Sequence, residues 1–309
     1  MTTKDTLISW LMDGDPAVRW QVQRDLLQAE PDIFQHEREK VALQGWGSRF
    51  LAFCDPAGTW GDGLYSPKWI STTYTLLTLR RLGLPRGNQQ AQRGCELLLD
   101  QGFFPDGGIN YSHHAEHSET CITGLVLSLL AYFRYSDKRI HRITDHLLNH
   151  QMDDNGWNCR SFRGDTHSSF HTTISVLEGL YEYEKMFPLQ TNRVHSAQRQ
   201  GREFLLKHKI YCSHRTGEIV KSYMTRAAFP PRWRLDFIRA LDYFQDCGAE
   251  RDERLADAIT LLNSKRRKDD RWPLNRGMSG LTFFEMEKAG GPSRINTLRA
   301  LRILKWWDG

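Results

Sequence analysis

The chain has 309 residues, enough to bury a large core in one domain or two. Hydrophobic residues make up 39% and charged residues 26%, the balance of an ordinary globular protein, and no apolar run reaches the roughly 18 residues of a membrane span. The formal net charge is +5; the one basic run, Lys265-Arg266-Arg267-Lys268, is answered at once by Asp269 and Asp270, so nucleic acid is not an expected partner.

Cysteines 54, 95, 121, 159, 212 and 247 are scattered, which speaks against a disulfide framework and for reduced thiols. The N-terminus, Met1-Thr2-Thr3-Lys4-Asp5, lacks the apolar core of a signal peptide, and a cytoplasmic protein is the expectation. A single domain over 1–309 is expected.

Helical periodicity runs from end to end. Asp15-Pro16 marks a helix start that continues through Val18 to Leu27. A first unit has a helix ending near Phe53, the turn Gly58-Thr59-Trp60-Gly61, and an apolar helix from Trp69 to about Leu82, ended by Gly83 and Pro85. A second runs from Gln89 to the turn Asp106-Gly107-Gly108, a loop with His113, His114 and His117, and a helix from Cys121 to about Phe133. The third has a helix over Ile140 to His150, the turn Asp154-Asn155-Gly156-Trp157, a loop with Arg160, Arg163, Asp165 and His167, and a helix from Ser169 to about Tyr183. In the fourth, a helix near Gly201 to Lys207 leads to His214-Arg215-Thr216-Gly217-Glu218, and Pro230-Pro231 opens a helix from Arg232 to about Phe244. The last has Leu255 to Leu262, the turn Asp270-Arg271-Trp272-Pro273, and Ile295 to Trp307 after Gly290-Gly291-Pro292-Ser293.

These turns recur at intervals of roughly 48 to 62 residues. Repeated helical hairpins stack, because one pair cannot bury its own apolar face. The stack can stay an open solenoid or close into a double ring. Leu125-Val126-Leu127-Ser128-Leu129-Leu130-Ala131 is apolar nearly all round, as a helix enclosed by neighbours is, which favours closure. A closed ring gathers the starts of its inner helices around one mouth, the usual form of a ligand site.

The repeats resemble those of the terpenoid cyclase and protein prenyltransferase superfamily, whose turns carry a Gln-x-x-x-Gly-x-Trp motif. Gln151-Met152-Asp153-Asp154-Asn155-Gly156-Trp157 is similar with Asn155 at the first Gly, and Cys54-Asp55-Pro56-Ala57-Gly58-Thr59-Trp60 with Cys54 at the Gln. The resemblance spans about residues 45–307 and implies an all-α fold, an α/α toroid of five to six hairpins.

Glu119-Thr120-Cys121 and Ser169-Phe170-His171-Thr172-Thr173 open successive inner helices and offer a carboxylate, a thiolate and an imidazole, a possible three-ligand zinc set that would leave a position open for chemistry. They resemble the Asp-x-Cys and His segments of prenyltransferase β subunits, and by that resemblance Glu119, Cys121 and His171 are expected zinc ligands. The family's Arg and Lys before the acid fall here near His113 and Glu116, its diphosphate-contacting His at Ser71, and the Tyr after its Cys at Ile122. No Asp-x-Asp-Asp acid of the class II cyclases occurs; Asp13-Gly14-Asp15-Pro16 and Asp153-Asp154 come nearest.

Asp165 and His167 form a possible acid–base pair, with His167 four residues from His171. Arg160, Arg163, Arg215, Arg232 and Arg234, with His113, are expected to bind anionic groups, and Tyr74 to line the cavity. Solvated charge is the alternative for the arginines and an exposed loop for the histidines. Cys159 and Cys212 are expected to be structural. The function that follows is a zinc enzyme acting on an isoprenoid-like or other hydrophobic substrate; a metal-independent cyclase-like enzyme and a non-catalytic toroid that binds a lipid or peptide are the alternatives.

Overall fold

Asp15 begins a helix as expected: its backbone is extended, its side-chain oxygen accepts the N–H of Ala17 at 2.9 Å, and Pro16 lies in the first turn. The computed structural model describes residues 3–309 except His113 and Gln190. Among these residues the chain is all-α, with thirteen helices and only isolated β-bridges. They are α1 (Thr3–Met12), α2 (Pro16–Asp25), α3 (Pro31–Glu39), α4 (Gly45–Leu51), α5 (Thr72–Leu82), α6 (Gln89–Gly102), α7 (Thr120–Tyr132), α8 (Arg139–Asn149), α9 (Phe170–Met186), α10 (Asn192–Lys207), α11 (Phe237–Asp246), α12 (Ala256–Ser264) and α13 (Arg294–Asp308). None is long and apolar enough to cross a membrane.

The repeat has a physical core. The Trp60 indole donates to the Phe50 carbonyl, Trp157 to Leu147 and Trp272 to Leu262, each at 2.7 Å and each ten residues back. Each tryptophan thus adds a donor to a last-turn carbonyl of α4, α8 or α12, which otherwise receives a backbone N–H three residues on, at 3.2–3.3 Å. The backbone N–H of the same tryptophans donates to Thr72 at 3.1 Å, Thr173 at 3.0 Å and Thr297 at 3.0 Å, so one residue ties an outer helix to the inner helix that follows it. All three indoles are fully buried. In the second unit Ile109 stands at this place: its N–H reaches Thr123 at 2.9 Å, and no indole is present.

Successive inner helices pack on one another. Helix α7 contacts α5 and α9, α11 contacts α13, α13 contacts α2, and α2 and α5 both contact α4. The Trp20 indole of α2 donates to the Leu82 carbonyl of α5 at 2.9 Å, and Arg239 of α11 binds Glu178 of α9. The series of contacts that leaves α5 therefore returns to it. Every residue of α7 from Ile122 to Tyr132 is buried, matching its apolar sequence.

Two helix starts differ most from expectation. The helix placed near Gly201 to Lys207 begins earlier, at Asn192. The helix placed at Arg232–Phe244 begins at Phe237, because Asp236 caps it with a 2.8 Å bond from the Arg239 N–H. Arg232 lies in the preceding loop with φ at 58°. Arg232 and Arg234 therefore both precede α11 rather than standing in its first turn.

Helices α7 and α9 cross at two glycines. A Cβ on Gly179 would stand 2.5 Å from the Gly124 carbonyl oxygen, and one on Gly124 would stand 2.8 Å from backbone atoms of Ser175 and Val176. Backbone cannot step aside as a side chain can. Gly179→Ala is therefore expected to destabilise the fold by about 1–3 kcal/mol even though alanine is the better helix former by about 1 kcal/mol. Urea denaturation reads the difference, and a stabilised variant would rule out the close crossing.

Candidate functional site

Aromatic side chains cluster where α5 and α7 begin. Tyr65 stacks near Tyr111 with ring centroids 6.2 Å apart and near Tyr74 at 5.3 Å, and Trp69 meets Tyr74 edge-on at 4.9 Å. Burial raises the phenols of Tyr65 and Tyr74 well above their ordinary value. Arg232 donates to the Trp69 carbonyl at 3.3 Å and lies over its ring; burial lowers its pKa to about 10. Tyr74 and Arg232 thus share one cluster. Beside it is Glu119, which precedes α7 without capping it; burial raises its carboxyl against the pull of Lys68 and Arg163.

The zinc set expected by resemblance does not fit this arrangement. His171 Nδ1 accepts the Leu235 N–H at 2.9 Å, so Nε2 carries the proton and faces the Tyr223 hydroxyl at 2.9 Å. Both ring nitrogens are engaged by protein. Cys121 is hydrogen-bonded to Cys159, which raises the Cys121 thiol and lowers that of Cys159. Among the described residues no group of three or more His, Cys, Asp or Glu side chains is placed to hold a metal ion. Cys159, expected to be structural, is thus the thiol partner of Cys121; its position two residues after the stapling Trp157 was the available signal.

The other expected site residues separate. Asp165 pairs with Arg160 at 3.3 Å on the surface, where the Arg160 side chain is 64% exposed. His167 is exposed and lies outside α9, which begins at Phe170, so the shared helix face with His171 is not formed. Arg163 is exposed over the Phe162 ring, and Arg215 is exposed with its N–H on Ser213. Arg234 stacks on Tyr223 at 4.3 Å and on Trp233. His113 lies outside the described residues. A Ser118–His146–Asp106 group also assembles, with Ser118 Oγ 3.0 Å from His146 Nε2. It is a buried loop staple: His146 Nδ1 faces the Asp106 carbonyl, while the Asp106 carboxylate takes the N–H groups of Gly108 and Ser118.

The site that sequence patterning missed is a cavity of about 460 Å³ toward the C-terminal ends of α5, α7, α9 and α11, closed by α2 and α13. Seven arginines and one lysine line it against five carboxylates. Glu178 is its centre. It receives Arg80 at 3.1 Å, Arg81 at 2.8 Å and Arg239 at 2.8 Å. Despite burial, Arg239, Arg81 and Arg80 hold its carboxyl far below the ordinary range. Arg80 also binds Glu182, which Lys185 shares. Asp242 is bound by Arg299 and Arg302, and Arg302 continues to Asp25 at 3.2 Å. Donors remain over: Arg80 Nε, Arg86 Nε, Arg299 Nη2 and Arg302 Nε are buried without a partner among the described residues.

No protein-family model and no curated protein matches the chain. Among solved structures it is similar to a protein from Actinoplanes (13% identity, 96% of this chain, 91% of that chain, TM-score 0.48). It is also similar to the type II terpene cyclase MstE from Scytonema (13% identity, 87% of this chain, 96% of that chain, TM-score 0.37). A variant of that cyclase, in complex with geranylgeranyl dihydroxybenzoate, matches at 15% identity over 88% of this chain and 97% of that chain, with TM-score 0.37.

Two outcomes follow from these contacts. Glu178→Gln leaves the fully buried Arg239 without its counter-charge and is expected to cost about 3–5 kcal/mol in urea denaturation; a change near zero would show that the cluster does not bear load. Burial, then Arg239 and Arg234, lowers His171 to about 4 from 6.5. A depressed histidine is neutral when folded and takes its proton only on unfolding, so stability falls as pH drops from about 6.5 to about 4. His171→Asn, which keeps an acceptor for Leu235 and cannot titrate, is expected to lose less stability than wild type between pH 7 and pH 5. His146 and His208 shift the same way and retain the remainder of the effect. An unchanged acid loss would place the titrating group elsewhere.

Proposed function

We propose that the chain is a closed α/α toroid of the terpenoid cyclase-like kind and that its ligand site is the charged cavity, which takes a small polar molecule with an anionic group. The observation that carries this is the surplus of cations over carboxylates on the wall, with buried guanidinium N–H donors left without a protein partner. A buried donor without an acceptor costs about 1–3 kcal/mol, and an anion that accepts from several of them recovers that cost. Phosphate, diphosphate and carboxylate suit the planar guanidinium fork. An isoprenoid chain in this cavity would lie against seven arginines, one lysine and five carboxylates as well as Trp20, Leu82, Phe229, Ile295 and Leu298, and burying apolar groups against those charges displaces water from them at a cost. Zinc has no part in this proposal, since its expected ligands are already engaged by protein.

A second reading places a hydrophobic, isoprenoid-like substrate against Tyr65, Trp69, Tyr74 and Tyr111, with Glu119 as the neighbouring acid. The contiguous rings and the raised Glu119 carboxyl favour it, because aromatic faces stabilise cationic carbon. Incubation with geranylgeranyl diphosphate, followed by extraction, tests it: a product lost in Glu119→Gln supports it, and unchanged substrate removes it.

The cavity proposal is tested by thermal denaturation in increasing inorganic pyrophosphate. A stabilisation that saturates, weakens in Arg86→Ala and falls steeply with added salt is the expected result. Identical curves with and without the anion at low ionic strength would overturn it.

A further inference from the structure

The cavity wall also lacks partners of the opposite kind, and these lie together. Four of its five carboxylates are held by guanidinium or ammonium groups: Asp25, Glu178, Glu182 and Asp242. Asp246, the last residue of α11, lines the same cavity, is open to it, and forms no ion pair among the described residues. Its neighbour Gln245 also lines the cavity, with Oε1 buried and without a hydrogen-bond partner. Asp246 stands one helical turn beyond Asp242 on one face of α11, where like charges repel. The end of a helix adds unpaired carbonyls and partial negative charge. The Asp246 carbonyl is occupied by the Tyr181 hydroxyl, which fixes the end of α11 against α9. Acceptors without donors therefore gather at the end of α11, while donors without acceptors sit on Arg80, Arg299 and Arg302.

Resting on the reading of the cavity as an anion site, we infer that the ligand carries an ammonium group beside its anionic group, and that Asp246 with Gln245 receives the ammonium. Such a molecule, an amino acid or an aminoalkyl phosphate in chemical class, meets both sets of unpartnered atoms at once. A simple anion meets only the arginines and brings its charge toward Asp246. The protein packed around it, which withdraws water although the carboxylate itself is open to the cavity, and then the like charge of Asp242 raise the Asp246 carboxyl against the pull of Arg302, Lys185 and Arg24, and a ligand cation relieves that repulsion. Specificity here resides in one free carboxylate among bound ones.

Isothermal titration calorimetry of the full chain at pH 7 and low salt, with two matched pairs of probes, decides the matter. The pairs are phosphoethanolamine against ethyl phosphate, and β-alanine against propionate. The amine-bearing member of at least one pair is expected to bind about tenfold or more tightly than its partner, the effect of one charged hydrogen bond; the pair that responds tells phosphate from carboxylate. In Asp246→Asn that ratio is expected to fall to about twofold or less, and Gln245→Leu is expected to move it the same way if the asparagine variant is too unstable to titrate. Equal binding of both members of each pair by wild type would overturn the inference and leave the anion site standing, as would an undiminished ratio in both variants. If none of the four probes binds, the anion reading and this inference fail together.

Discussion

One carboxylate joins three of the helices that surround the cavity. Glu178 projects from α9 and receives Arg80 and Arg81 from α5 and Arg239 from α11. The Arg239 side chain has no exposed surface, so its charge is tolerable only because Glu178 stands beside it and its remaining N–H groups reach the Arg234 carbonyl and Ser175. Removing charged groups from water costs several kcal/mol for each ion, and the attraction between them offsets this only when the geometry is good and the other donors are bonded. Three guanidiniums on one carboxylate leave an excess of positive charge. Glu182, Asp242 and Asp25 balance part of it along the same wall. The cavity is polar because the helices are joined by charge there, and its unmatched donors are what that joining leaves over.

The two ends of the inner helices have thus been given different work. At their starts the tryptophan staples, the threonine hydroxyls and the serine and aspartate caps consume backbone donors and carbonyls in a regular way. This end is rigid for local reasons, unit by unit. Toward their other ends the connections run between helices far apart in sequence, and the space they enclose remains open. Stability from repetition at one end permits irregular, charged side chains around the cavity at the other.

That division also explains what could be read from the chain. Trp60, Trp157 and Trp272 were legible because each bonds a carbonyl ten residues earlier and a threonine no more than 25 residues later, so the pattern repeats within a short window. The start of α11 was misplaced because Pro230-Pro231 looked like a helix opening, while the decisive signal was Asp236 and its bond to Arg239. The cavity was not legible at all. Arg80 and Glu178 are separated by 98 residues, and Arg299 and Asp242 by 57. Arg80 and Arg81 read as ordinary cations at a helix end, and Glu178 as one polar residue in an apolar helix. Their meaning depends on a ring of contacts that no single stretch of sequence contains.

The stretch resembling a zinc site makes the same point from the other side. Glu119, Cys121 and His171 occupy helix starts in successive repeats, as the spacing requires, yet position alone does not make a ligand. A ligating histidine needs one nitrogen free for the metal while the other is held by the protein. Here Leu235 takes Nδ1 and Tyr223 faces Nε2, both from the segment that leads into α11. The thiol of Cys121 meets Cys159 from the loop before α9. The imidazole and the thiol that would hold a metal are instead engaged by residues of the loops that precede α9 and α11. With those groups held by protein, the unpartnered donors of Arg80, Arg299 and Arg302 gather instead at the other ends of the helices, in one cavity with Asp246, which forms no ion pair among the described residues.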